Sequence, residues 1–513
     1  MGPIIFPMDK RGSQEELLAK LAEILLDPTA RELIGAIKIN DAAHLPGPRG
    51  SAFLAKMRGV IVAGGSDAGI FLDLKLADTS DTNVNTVSRY INDPDKSLID
   101  PAGIYAAPNI LTVRESVSVK GWLELRRALP NTKLALVSVL TDMTEVECRR
   151  RYGMVPLYKI LTDIDNIRLE YAAIRTETDN PEPFDMVVCS PLEVRELFHA
   201  WGHRFQFIVP GIRDSWMLAG QQKRFTGIRE ALNLGATFVV AGAQIAKGNP
   251  DATPPISADE SRQRTFVEVR NSNHVQIVPG DHVAMLDNCD GFYESPRDAS
   301  GNYVGPLVAY AGKYDTPSGE LNFVGRCYFN LAKVEERPLV RQVFCRDLAG
   351  KFKNLSKIPG AIMGMPMGSI QLTATLGDFL GCRTIFAEKK VIEPASEGKK
   401  EKSILVLGRH EVKKGEVVFI VEDVCNNFST TDKAIKLIEE AGGIFGGIIC
   451  FVNRSDKTEW AGKPIVSLIH KPSPEFKQDD SAVRDLIAAG NICWEPKKEW
   501  ARLKKAMADA QSA

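Results

Sequence analysis

The chain has 513 residues, more than one ordinary hydrophobic core accommodates, which predicts two or more domains. Its 64 basic and 65 acidic residues leave a formal net charge of −1, so no bulk field argues for nucleic acid. The nine cysteines are scattered without a C-x-x-C pair, as in a reduced cytoplasmic protein, and no apolar run approaches the roughly 20 residues that span a membrane.

From residue 1 to about 247, short apolar segments alternate with helical patterns. Segments 4–8, 33–40, 70–75, 109–113, 133–140, 184–189, 205–209 and 237–241 read as eight strands, and eight such βα units predict a closed (β/α)8 TIM barrel. Active sites of that architecture gather at the C-terminal ends of the strands. Charges appear there: Asp9 after the first segment, Lys38 in the second, and Asp73, Lys75 and Asp78 in or just after the third. The period of two sends Asp73 and Lys75 to one wall and Leu72, Leu74 and Leu76 to the other. Buried together, two cations and two anions must pair with one another. A solvated face, or a neutral salt-bridge network without chemistry, is the plainer alternative. The branched apolar filling usual in barrel interiors disfavours it.

The run from Lys247 to Ile256 is rich in proline and small polar residues, which predicts a linker over 248–258 between domains at 1–247 and 259–513. The second half opens with strand-like segments over 275–330. Segments 361–363, 384–386, 417–421 and 444–452 then alternate with helices, predicting an open α/β sheet carrying a small hood. The third of these stretches runs on as 417–424 through Glu422 and Asp423, and continues as Cys425-Asn426-Asn427-Phe428-Ser429-Thr430-Thr431 before a helix expected from about Asp432. A small polar loop opening a helix suits a phosphate, or merely caps the helix.

In order and approximate spacing, Asp9, Lys38, Asp73-x-Lys75-x-x-Asp78, Val188-Cys189-Ser190, Pro210-Gly211-Ile212-Arg213 and Gln222-Lys223-Arg224 resemble the orotidine 5'-phosphate decarboxylase family. Metal-dependent relatives acting on sugar phosphates share the D-x-K-x-x-D motif but carry an acid where Lys38 stands. The resemblance implies decarboxylation without metal or cofactor, with Lys38, Asp73, Lys75 and Asp78 as catalytic residues and Lys75 delivering a proton to C6 of the pyrimidine. It implies substrate contacts at Asp9, Thr82, Thr141, Pro210, Gln222, Gly242 and Ala243. Asp78 and Thr82 would reach the site of a second subunit, making a homodimer. The chain departs from the family at Ala243, where an arginine usually holds the phosphate. Arg224, Lys247 and the backbone N–H groups of Gly242 and Ala243 are the available replacements.

The second half resembles the type I phosphoribosyltransferases, and among them orotate phosphoribosyltransferase. Glu422 and Asp423 match the acidic pair for the ribose hydroxyls of phosphoribosyl pyrophosphate, with Asn426, Asn427, Ser429 and Thr430 in the phosphate loop. Gly364-Met365-Pro366-Met367-Gly368 matches the pyrophosphate loop, and Lys389-Lys390 opens the catalytic flexible loop. Tyr328 and Phe329 match the base-binding hood, and Arg454 suits the carboxylate of orotate. The resemblance implies Mg2+ in this half only. Phe428 stands where a glycine is usual, so the expectation is either an active transferase or a non-catalytic domain that binds ligand or holds an oligomer together. Orotate, phosphoribosyl pyrophosphate and orotidine 5'-phosphate are the implied small-molecule substrates. The implied assembly is a homodimer or a higher homo-oligomer.

Overall fold

A computed structural model describes residues 1–8, 13–40, 50–90, 108–217, 225–317, 319–355, 359–393 and 402–511. The chain divides into two units, Met1–Pro279 and Gly280–Ala513. In the first, β1 (Ile4–Pro7), β2 (Ile34–Ile39), β3 (Gly69–Leu76), β4 (Ile110–Arg114), β5 (Lys133–Val137), β6 (Met186–Val188), β7 (Gln206–Val209) and β8 (Phe238–Val240) close into a parallel barrel in chain order. These are the eight segments expected from the sequence, with their ends shifted by a few residues at most.

Each strand contributes one side chain to the plug of the barrel: Ile5, Ala36, Phe71, Ile110, Ala135, Met186, Ile208 and Phe238, all 2% exposed or less. Ala36 and Ala135 leave room for the six larger side chains, since eight inward residues must share one cross-section. Two residues further along, at the same inward phase, come Pro7, Lys38, Asp73, Thr112, Val137, Val188, Pro210 and Val240. This layer floors the cavity above the plug, and the only charges in it come from β2 and β3.

The expected linker is not one. Asn249 and Ile256 pair across a tight excursion, and the buried Asn249 side chain donates to the Trp216 carbonyl at 2.7 Å. Helix Ala258–Arg270 then packs on the barrel through buried Phe266 and Val269, and Arg270 reaches Glu32 at 3.0 Å. Proline and small polar residues close a turn here, and the division falls after Pro279.

In the second unit, β9 (Phe292–Glu294) pairs with β12 (Cys327–Phe329), and β10 (Leu307–Thr316) lies between β11 (Gly319–Gly325) and the late β21 (Ile492–Cys493). These strands form the hood. The main sheet comprises β13 (Ala361–Gly364), β14 (Arg383–Phe386), β17 (Val417–Cys425), β18 (Ile444–Asn453), β19 (Glu459–Trp460) and β20 (Lys463–His470), in the order β14-β13-β17-β18-β20-β19. β15 (Glu388–Glu393) and β16 (Lys402–Val406) form a separate two-stranded ribbon. The chain runs from β13 outward to β14 and later returns to β17 on the other side. Strand order therefore reverses between β13 and β17, the position where open α/β sheets bind ligands beyond their carboxyl ends. No helix among the described residues is long and apolar enough to cross a membrane.

Candidate functional site

In the barrel cavity, Asp73 is the hub. Its Oδ2 accepts from Lys38 Nζ at 3.2 Å and Lys75 Nζ at 2.8 Å, and its Oδ1 accepts from the Thr112 hydroxyl at 2.9 Å. Asp73 and Lys38 are each 8% exposed. Burial by itself would raise the Asp73 pKa, but the charges of Lys38 and Lys75, with the hydrogen bonds from Lys75 and Thr112, outweigh it and hold the carboxyl below its ordinary value. Lys75 has φ 51°, a left-handed backbone for a residue with a long side chain, and its N–H donates to Thr112 Oγ1 at 2.9 Å. The ladder between β3 and β4 is irregular between Leu72 and Leu76, so Lys75 is aimed by a break in the strand as well as by the alternation.

The cavity measures about 400 Å³ and brings together Lys38, Asp73, Lys75, Thr141, Pro210, Gly242 and Ala243. Asp78 and Thr82 are exposed and lie outside its lining. Asp78 instead receives the Thr79 N–H at 2.7 Å, and Thr82 faces the Thr79 hydroxyl at 3.1 Å. Asp9, Gln222 and Arg224 fall outside the described residues. Sequence reasoning names Arg213 and Lys247 but misses Thr112 and Lys20. Thr112 carries no charge and is found only through its register beside β3. Lys20, from helix Gln14–Ile24, and Arg213, after β7, line the cavity together with Lys247, after β8. These three cations follow β1, β7 and β8, whereas Asp73 and its partners stand on β2, β3 and β4. Arg213 is half-buried, donates to its neighbour's carbonyl at Ile212, 2.8 Å away, and has no carboxylate partner among the described residues.

In the second unit a cavity of about 350 Å³ between hood and sheet is lined by Tyr328, Phe329, Asp423, Asn426, Asn427 and Arg454. Glu422, Ser429, Thr430, Lys389 and Lys390 do not line it. Lys389 and Lys390 are exposed on β15. Gly368 does line the cavity, and a Cβ there would come within 2.5 Å of Asp423 Oδ2, so only glycine permits this approach of loop to acid. Sequence reasoning missed Tyr310, Glu335, Glu475 and Lys497, whose signal is only their position in the hood and in the chain after β20.

Phe428 has a left-handed backbone, φ 57° and ψ 8°, the conformation that favours glycine. Its ring is 4% exposed, joins the core of the sheet and stacks on Trp460 at 4.3 Å. The bulk therefore leaves the cavity. The helix that follows, Ser429–Glu440, begins three residues before the expected start.

Burial, then the neighbouring charge of Asp423, pushes Glu422 up to about 8 despite a hydrogen bond from Thr431. Burial likewise raises Asp423, and burial followed by the charge of Asp423 pushes Glu335 up to about 7. Among the described residues no three acidic, His or Cys side chains converge as a closed metal cage. Mg2+ needs fewer: it commonly takes one or two carboxylates and completes its shell with substrate phosphates and water. Asp423 lines the cavity and offers one such carboxylate, whereas Glu422 beside it lies outside the lining.

A profile of the orotidine 5'-phosphate decarboxylase / HUMPS family matches residues 57–253. The orotidine 5'-phosphate decarboxylase of Staphylococcus aureus strain Newman is 34% identical over 180 residues, covering 35% of this chain and 70% of that one. Among solved structures, the chain is similar to Leishmania donovani UMP synthase (TM-score 0.40, 13% identity, 99% of this chain and 97% of that one). It is similar also to orotate phosphoribosyltransferase from Aeropyrum pernix (TM-score 0.23, 19% identity, 32% of this chain and 87% of that one). The profile spans β3 to β8 with the Asp73 and Lys75 wall, and the bacterial relative is matched over more than two thirds of its length. By that measure the chain belongs to the orotidine 5'-phosphate decarboxylase / HUMPS family.

Proposed function

We propose that the barrel decarboxylates orotidine 5'-phosphate to UMP without a metal. The observation that carries the reading is the single carboxylate of Asp73 held between two ammonium groups, at 3.2 and 2.8 Å, on the floor of a cavity. With the pyrimidine C6 beside Lys75, the C6–carboxylate bond breaks, CO2 leaves, and the electron pair remains on C6. The Lys75 ammonium stabilises that carbanion and then transfers a proton to it. Asp73 keeps Lys38 and Lys75 charged and fixed before the substrate arrives, so the field that the transition state needs is already in place. The 5'-phosphate belongs at the opposite end, against the backbone of Gly242 and Ala243 with Lys20, Arg213 and Lys247. Phosphates are commonly held after strands seven and eight of this architecture, and binding there can lower the barrier at the distant ring.

The second unit, in this reading, joins orotate to phosphoribosyl pyrophosphate and releases pyrophosphate, making the substrate of the barrel. Glu422 and Asp423 hold the ribose hydroxyls, and Asn426 and Asn427, with Ser429 and Thr430, embrace the 5'-phosphate. Tyr328 and Phe329 cover the base, and Arg454 meets its carboxylate. Lys389 and Lys390 would approach only on movement of their ribbon. Bound Mg2+ would offset the negative charge on the departing pyrophosphate. The two activities together amount to bifunctional UMP synthesis by a homodimer, with Asp78 and Thr82 serving the partner's barrel.

The test follows loss of orotidine 5'-phosphate and release of pyrophosphate from orotate and phosphoribosyl pyrophosphate in the same preparation. Both are expected. Lys75→Ala should lower the decarboxylation kcat by about 10³-fold or more, in line with loss of a positioned acid and a fixed charge. A folded chain that decarboxylates but releases no pyrophosphate would leave the second unit as a binding or oligomerising domain.

A further inference from the structure

Arg454 follows β18 and is 8% exposed. Its backbone is pinned at both ends: its N–H donates to the Cys425 carbonyl at 2.9 Å, and its carbonyl accepts from the Ser473 N–H at 2.9 Å. The guanidinium carbon sits 3.8 Å from the centre of the Tyr310 ring, a cation–π contact that fixes the plane of the group. The Tyr310 hydroxyl donates to the Cys327 carbonyl at 2.8 Å, so the ring is itself held in place. Nε and Nη2 of Arg454 have no hydrogen-bond partner, although both are buried. Leaving such donors unsatisfied is costly, and this site accepts that cost at the edge of a cavity.

Glu475 is the acidic neighbour. Its Oε1 lies 3.9 Å from Arg454 Nη2, near enough to attract the charge but beyond hydrogen-bond distance. The same oxygen accepts from the Asn426 side-chain amide. Glu475, Asn426, Arg454 and Tyr310 all line the cavity. One carboxylate thus bridges the arginine under the hood and the loop that follows Glu422 and Asp423.

We propose that Glu475 is a positioning residue for the second site. It steadies Arg454 against Tyr310 so that the unbonded Nε and Nη2 remain available to a planar carboxylate, and it couples that subsite to Asn426 in the loop. The inference rests on the reading of the second unit as an orotate site. The spacing of 3.9 Å matters: a full bidentate pair with Glu475 would consume the fork, whereas a looser attraction orients it without capping it.

The experiment compares the full chain with Glu475→Gln and Glu475→Ala, reading KM for orotate, KM for phosphoribosyl pyrophosphate and kcat from pyrophosphate release. Orotate binding is measured separately by calorimetry, and folding by the urea midpoint. Glu475→Gln removes the charge but keeps an oxygen for Asn426, so KM for orotate should rise about tenfold with kcat changed by less than about twofold. Glu475→Ala also frees Asn426 and should raise both KM values. Glu475→Asp should recover part of the loss. Unchanged orotate affinity in Glu475→Gln, or a fall in kcat alone, overturns the proposal. If the wild-type chain releases no pyrophosphate, the transferase reading fails by itself. Calorimetry then decides the positioning role: orotate bound by wild type and weakened in Glu475→Gln sustains it, and no binding to wild type overturns it. A variant whose urea midpoint collapses is judged by Glu475→Asp, for which weakened orotate binding at an unchanged midpoint sustains the role and wild-type affinity overturns it.

Discussion

Asp73 is a small residue with three obligations, and each can be separated by charge. Its carboxylate is paired with Lys38 and Lys75 and bonded to Thr112, so the folded protein favours the ionised form. A group whose folded pKa is lowered contributes stability that is present above its unfolded value and is lost as pH falls through the folded one. Replacement by Asn removes that contribution and leaves two ammonium groups facing each other. Asp73→Asn should therefore be less stable than wild type at pH 7, and the gap should narrow below the ordinary aspartate value of 3.8. Urea unfolding of both chains between pH 7 and pH 3 measures it, and a gap independent of pH would contradict the assignment of charge. Phe428 makes a contrasting case at the same scale. Its sequence position predicts relief on replacement by glycine, yet its ring is buried against Trp460. Deleting a buried aromatic costs about 3–5 kcal/mol, and relief of a left-handed backbone returns only about 1 kcal/mol. Phe428→Gly should destabilise the second unit by about 2–4 kcal/mol, read from its urea transition, and should not improve affinity for phosphoribosyl pyrophosphate.

Among elements, what the sequence made legible follows from period and charge. The eight barrel strands were readable because each is a short apolar run between turns, and the wall was readable because Lys38, Asp73 and Lys75 are charges inside such runs. Thr112 was not, because a threonine in a strand is ordinary until register sets it beside Asp73. Strand β20 escaped notice because it begins at Lys463-Pro464, which reads as a turn. The stretch before Ala258 misled for a related reason: composition identifies a turn but not whether the chain beyond it leaves the domain. Phe266 and Val269 settle that question by burying themselves on the barrel. A fragment ending at residue 279 is expected to be soluble and to unfold cooperatively, whereas one ending at 247 should aggregate, because it uncovers the surface that this helix protects. Expression of both fragments, followed by urea unfolding, distinguishes the two boundaries.

For the molecule as a whole, Asp78 and Thr82 pose the question of assembly. They sit only a few residues beyond Lys75, yet both are exposed and neither lines the cavity of its own barrel. The strand has ended by then, and the helix Ser80–Ser88 carries the chain away from the mouth. If these residues complete a neighbouring subunit's site, a symmetric dimer contains two composite sites, each built from both chains. Lys75→Ala and Asp78→Ala would then fail separately for different reasons. In a mixed dimer one site would carry both lesions and the other neither. Equal amounts of the two inactive chains, unfolded and refolded together, should recover about a quarter of wild-type decarboxylation, since half the dimers are mixed and half their sites are intact. Each variant refolded alone should remain inactive. Recovery in the mixture locates Asp78 across the interface, and the absence of recovery, with dimers formed, would return it to a role within its own chain.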